Sequence, residues 1–170
     1  MIFGVLADTQ GVLTPTQEQA LKKAFKEVDY ILHAGPVGDL RVIEQLTRIA
    51  PTRAVCANAE NAIVRSELFV WQAWKAGVLK MGLIHGYGKP HGLKPWLMKQ
   101  FETNPVQVIV YGRNFEPTAR QIGGTYFFSP GSFSGGLPEG FHGKKGPSRV
   151  GLLFIRGKKV DGQAGIPVGA

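Results

Sequence analysis

The chain holds a single cysteine, Cys56, so no internal disulfide can form and no paired-cysteine zinc site exists. A reducing, cytoplasmic setting is therefore expected. No apolar run reaches the roughly 18 residues that a membrane-spanning helix needs, so no membrane partner is expected. The opening segment, Met1–Gln10, carries no basic residue ahead of its apolar stretch, which is not the form of a secretory signal. Charge is sparse at 19% of residues, and acidic charge is sparser, with 12 Asp and Glu against 20 Lys and Arg. Most of the +8 excess falls late: residues 1–85 carry nine basic and eight acidic side chains, residues 86–170 eleven and four. There is no long basic run and no nucleic-acid motif, so nucleic acid is not an expected partner and anionic small molecules are.

What is present fits one globular domain spanning residues 1–170, with 44% hydrophobic residues to build its core. Apolar Ile2–Ala7 ends at Asp8 and reads as a buried strand. Thr14, Pro15 and Gln17 form a helix start, and Ala20, Leu21, Ala24, Phe25 and Val28 mark the inner face that follows. Tyr30–Ala34 is a second strand. Asp39 can cap a second helix with Leu40, Ile43, Leu46 and Ile49 inward, and Thr52–Cys56 is a third strand. This alternation implies a parallel sheet. Later the pattern turns to hairpins: Leu68–Ala73 with Val78–Ile84, and Pro117–Ile122 with Tyr126–Ser129 around Gly123 and Gly124. A helix over Leu93–Glu102, a strand over Val106–Tyr111, a Gly/Pro-rich stretch over 130–147, and strands at Val150–Ile155 and Lys159–Val160 complete the order. The expected fold is α/β: two sheets, parallel first and mixed later, with helices outside.

Ligands of open α/β sheets sit beyond the carboxyl ends of strands. Here those ends carry Asp8-Thr9-Gln10, Gly35-Pro36-Val37-Gly38-Asp39, Ala57-Asn58-Ala59-Glu60, His85-Gly86-Tyr87-Gly88 and Gly112-Arg113-Asn114-Phe115. In order and spacing these turns resemble the motifs of the small bacterial and archaeal phosphodiesterases of the calcineurin-like metallophosphoesterase superfamily, beside which stands the retromer subunit of the same fold. Where that family reads DTHG, HAGD, GNCD, HGHG, GHTH and NPGS, this chain reads DTQG at 8–11, HAGP at 33–36, ANAE at 57–60, HGYG at 85–88, GRNF at 112–115 and SPGS at 129–132. The resemblance runs from Met1 to about Val160 and implies a two-sheet α/β/β/α sandwich of the metallophosphoesterase type.

The resemblance also implies a site for paired divalent metals. Position by position, the first metal would fall to Asp8, Gln10, Pro36 and Phe115, and the second to Pro36, Asn58, His85 and Arg113. Of these, Asp8, Asn58 and His85 are of the family's type. Pro36 stands where the bridging aspartate belongs and has no donor atom, and close cations repel without a shared anion. A catalytic zinc keeps three protein ligands, and the second site retains fewer beside a permanent guanidinium charge.

The expectation is thus a fold retained without its metal centre: a binding or scaffold module with no cofactor. Its pocket comprises Asp8, Gln10, Asn58, His85, Arg113 and Asn114, and suits a small anion or phosphorylated ligand. The alternative is a phosphoesterase with one weakly held Mn or Zn ion at Asn58 and His85, with Asp8. Arg113 is expected to pair with Asp8 in place of metal charge, the other course for Asp8 being a strand-end turn. Asp39 is either a substitute ligand or a helix cap. His33 reads as a packed core histidine, His91 and His142 as solvent-exposed, and Cys56 as a buried inert thiol. Ser129–Ser132 reads as a phosphate-binding turn or a strand exit, and 135–146 with Lys144 and Lys145 as a loop. Trp71 and Trp74, three apart on a strand, should face opposite ways, so one faces outward and marks a contact with another copy or another protein.

Overall fold

The computed structural model describes residues 1–86, 90–112, 116–135 and 146–169, apart from the side chains of 90–92. Its strands form two five-stranded sheets. In the first, β1 (Ile2–Leu6), β2 (Tyr30–His33) and β3 (Thr52–Ala54) run parallel, β9 (Arg149–Arg156) lies antiparallel beside β1, and β10 (Lys159–Pro167) pairs antiparallel with β9 at the edge. The second sheet has β5 (Leu79–Ile84), β6 (Val108–Tyr111) and β8 (Thr125–Ser129) parallel, flanked by antiparallel β4 (Trp71–Ala76) and β7 (Thr118–Ile122). Both sheets are therefore mixed, where the sequence suggested a parallel first sheet.

The layers follow from side-chain alternation. Phe3, Val5, Leu32 and Leu153 of the first sheet meet Met81, Leu83, Val110 and Phe128 of the second in a core between the sheets. Leu6, Ile31 and Val150 point the other way, against Leu21 and Phe25 in and just after α1 (Pro15–Ala24) and Val42 and Leu46 of α2 (Arg41–Thr47). Ile109, Tyr111 and Phe127 likewise face Leu93, Leu97 and Phe101 around α4 (Pro90–Gln100). The result is the α/β/β/α sandwich that the sequence suggested.

Helix α1 (Pro15–Ala24) starts as expected: the Thr14 side chain accepts from the Gln17 N–H, and the Gln17 side chain returns to the Thr14 N–H. Helix α2 (Arg41–Thr47) starts later than expected, with Leu40 at the cap position. Asp39 instead accepts from the Arg41 N–H at 2.9 Å and pairs with its guanidinium at 2.7 Å. A short helix, α3 (Ala62–Glu67), was not expected; the Asn61 side chain caps it by accepting from the Val64 N–H. It pushes the start of β4 to Trp71. Strand β10 extends well past Val160 because a register shift between Gln163 and Ile166 absorbs Gly165 (φ 73°).

Trp74 packs into the core between the sheets and lies under the Arg53 guanidinium, while Trp71 turns the other way, edge-on to Phe101 and 37% exposed. The strand alternation expected of this pair is what the structure has.

Candidate functional site

The carboxyl ends of β1, β2, β5 and β6 meet around residues 34–36. The Asp8 N–H donates to the Gly35 carbonyl at 3.0 Å, and the Gln10 N–H to the Pro36 carbonyl at 3.5 Å. Asp8 (φ 61°) and Gln10 (φ 57°) both adopt left-handed backbone, uncommon outside glycine and here held by those bonds. From the second sheet, His85 Nδ1 donates to the Ala34 carbonyl at 2.8 Å. Because a carbonyl only accepts, Nδ1 carries a proton. Gly112 presses on the same point: a Cβ there would lie 2.4 Å from the Ala34 oxygen and 2.7 Å from His85 Nδ1. Gly38 packs as tightly on the first turn, since its Cβ would fall 2.4 Å from the Gln10 carbonyl carbon.

Beneath this junction lies His33, fully buried. Its Nδ1 accepts from the Gly35 N–H at 3.0 Å, so Nε2 carries the proton and donates to Thr9 Oγ1 at 2.9 Å. Thr9 Oγ1 in turn donates to the Val37 carbonyl at 3.0 Å. Burial, then the nearness of His85, holds the His33 imidazole down at about 3. The core histidine expected from the sequence is thus a neutral tie between the turns after β1 and β2. Its folded pKa lies below its unfolded one, so its contribution is complete above about pH 6.5 and declines as pH falls toward 3. Stability should drop by about 2 kcal/mol between pH 7.5 and 5 through this group. Urea unfolding across that range checks it: His33→Gln should flatten the slope, and an unchanged slope would contradict the assignment.

Sequence reasoning passed over Glu60. Its carboxylate accepts from the Val37 N–H and, at 3.1 Å, from the Gly38 N–H. Asn61 Nδ2 adds a bond to the Gly38 carbonyl at 3.0 Å. The turn after β3 therefore fastens the turn that carries Pro36, and the acid at position 60 was the available signal. Asn58, two residues earlier, is exposed, as is Gln10, whereas Asp8 and His85 are buried. Asp39, weighed as a substitute ligand, is bound to Arg41, whose hydrogen bonds hold its carboxyl down at about 2. Among the described residues no three His, Cys, Asp or Glu side chains gather where they could hold a metal.

Arg113, Asn114, Phe115, His142, Lys144 and Lys145 lie outside the described residues, as does the side chain of His91. Cys56 is buried with its thiol on the Leu68 carbonyl, and burial pushes the thiol's pKa up, as an inert cysteine requires. The segment 129–132 leaves β8 with the Arg149 N–H donating to the Ser132 carbonyl and the Ser132 hydroxyl bonded to that of Ser134.

With this geometry in view, comparison with known proteins is specific. The model of the calcineurin-like phosphoesterase superfamily domain matches residues 1–143. A probable metallophosphoesterase of Methanothermobacter thermautotrophicus is 28% identical over 99% of this chain and 95% of its own. Among solved structures, wild-type Vps29 of Entamoeba histolytica complexed with Zn2+ superposes with a TM-score of 0.75 at 20% identity, over 94% of this chain and 89% of that one. An archaeal phosphodiesterase does so with a TM-score of 0.72 at 19% identity, over 96% and 99%. No helix among the described residues is long and apolar enough to cross a membrane.

Proposed function

The chain belongs to the calcineurin-like phosphoesterase superfamily, and from that premise we propose that it is a member that has given up the two-metal centre and serves as a binding or scaffold module. The observation that carries this is the turn after β2. It presents Pro36 where the family resemblance implies the bridging carboxylate, and the two acids bonded at this turn, Glu60 and Asp39, have other partners. Glu60 holds the Val37 and Gly38 N–H groups, and Asp39 holds Arg41. The donor set of Asp8, Gln10, Asn58 and His85 does not fit a pair of divalent cations, because Pro36 offers no anion at the bridging position. With Arg113 at a former ligand position and a net charge of +8, the pocket suits a small anion or a phosphorylated ligand. Exposed Phe69, Val70 and Trp71 supply apolar surface of the kind a scaffold offers a second copy or another protein.

One observation favours the alternative, a single weakly held Mn or Zn ion. The His85 ring is fixed through Nδ1 by a backbone carbonyl, the way metal-binding imidazoles are oriented.

Metal analysis of protein purified without chelator, with hydrolysis of a bis-aryl phosphodiester in manganese, tests both. The expected result is no stoichiometric metal and no hydrolysis above that of manganese in buffer. One metal equivalent that disappears in His85→Ala would establish the alternative. A full pair of metals with metal-dependent turnover would overturn the proposal.

A further inference from the structure

At the end of the sandwich opposite the site, the two sheets part at the edge where β3 faces β4. A cavity of about 120 Å3 opens there, its wall including Phe3, Tyr30 and Arg53 of the first sheet and Trp74, Lys75 and Ala76 of the second. Phe3 and Tyr30 sit at paired register positions with rings stacked at 5.7 Å, 24° from parallel. Across the gap, the Arg53 guanidinium lies 5.0 Å from the centre of the Trp74 ring. Arg53 is steadied further by Nη1, which donates to Gln72 Oε1 at 3.4 Å, while Gln72 Nε2 donates to the Ala54 carbonyl at 2.8 Å. Among the described residues no carboxylate pairs with Arg53.

We propose that this cavity is a ligand site for a single-ring aromatic carboxylate, separate from the strand-end pocket. Size selects the ring. A cavity of roughly 150 Å3 lined by apolar side chains accepts benzene, whereas sites for drug-sized molecules start near 300 Å3. At about 120 Å3, and with exposed Arg53 in its wall, the space holds one ring with its substituent outside. The walls select a flat ring, because Tyr30 and Trp74, both partly exposed, present aromatic surface that packs by offset or edge contacts. Arg53 selects the charge: its planar fork has donors beyond the one given to Gln72, and a carboxylate takes them in pairs. A nucleotide or peptide is too large, and a cationic ring would meet the guanidinium.

Benzoate is the probe, followed by the Trp74 indole N–H resonance and by calorimetry. Saturable binding with a dissociation constant on the order of a millimolar is expected for so small a ligand. Arg53→Gln should weaken it about tenfold or more, as should replacing benzoate by neutral benzyl alcohol. Lys22→Gln on α1, which removes the same charge elsewhere, should leave it unchanged. Absence of saturation at Trp74, equal binding by benzyl alcohol, or equal loss in Arg53→Gln and Lys22→Gln would each overturn the proposal. None of these results depends on whether the strand-end pocket binds metal.

Discussion

Gly112→Ala should destabilise the protein by about 3–5 kcal/mol, although it adds a single methyl group. The methyl carbon would fall 2.4 Å from the Ala34 carbonyl oxygen and 2.7 Å from His85 Nδ1, both too close to be occupied. Those atoms are bonded to each other at 2.8 Å, and that bond joins the end of β5 to the end of β2 across the two sheets. Neither partner can retreat cheaply: Ala34 and His85 are buried, and the Ala34 N–H is bound to the Leu6 carbonyl at 2.9 Å. Either β6 is displaced, which costs packing, or the His85 bond breaks, which leaves buried polar atoms without partners. Gly124→Ala is the control, since a Cβ there meets nothing within 4 Å. Urea unfolding of the two variants should give a large loss for the first and less than about 0.5 kcal/mol for the second. Equal stabilities would mean that the junction at Ala34 is not tight.

The same junction shows what the sequence could reveal. Apolar runs ending in polar, glycine-containing turns placed Asp8 and His85 at strand ends, because burial and strand length leave a direct trace in residue type. The ties that set their geometry leave none. His33, Thr9 and Glu60 act on backbone groups of residues 35–38, and a backbone N–H or carbonyl has the same appearance at every position of a sequence. Helix α3 escaped for a related reason: Val64 is its buried residue and Ile63 is 71% exposed, so no helical period of apolar residues marks it. Strand β10 escaped because Gly162, Gly165 and Pro167 read as strand breakers, whereas an edge strand with a register shift tolerates them. The departure from the family's motif at Pro36 was legible because it is a matter of atom type, which no fold can alter.

Phe128→Ala should cost about 3–5 kcal/mol and lower the melting temperature by roughly 6–20 °C. Phe128 lies on β8, fully buried in the core between the sheets. Its ring rests on Gly151 of β9 and Gly162 of β10, where a Cβ would come within 2.5 and 2.6 Å of ring carbons. Glycine within a strand is weakening in itself, so a pair of them here makes sense as the seat of a large side chain. Removing the ring leaves a hole against bare backbone, and backbone held in the β9–β10 ladder cannot collapse to fill it. The second substitution that separates this account from a generic core effect is Gly162→Ala. Alone it should destabilise by about 1–3 kcal/mol, because its methyl group meets the Phe128 ring. In the Phe128→Ala background the same methyl group enters the hole, so its cost should vanish. A coupling of at least about 1 kcal/mol in the double-mutant cycle is therefore expected, and additive effects would show that the ring and the glycines are not in contact.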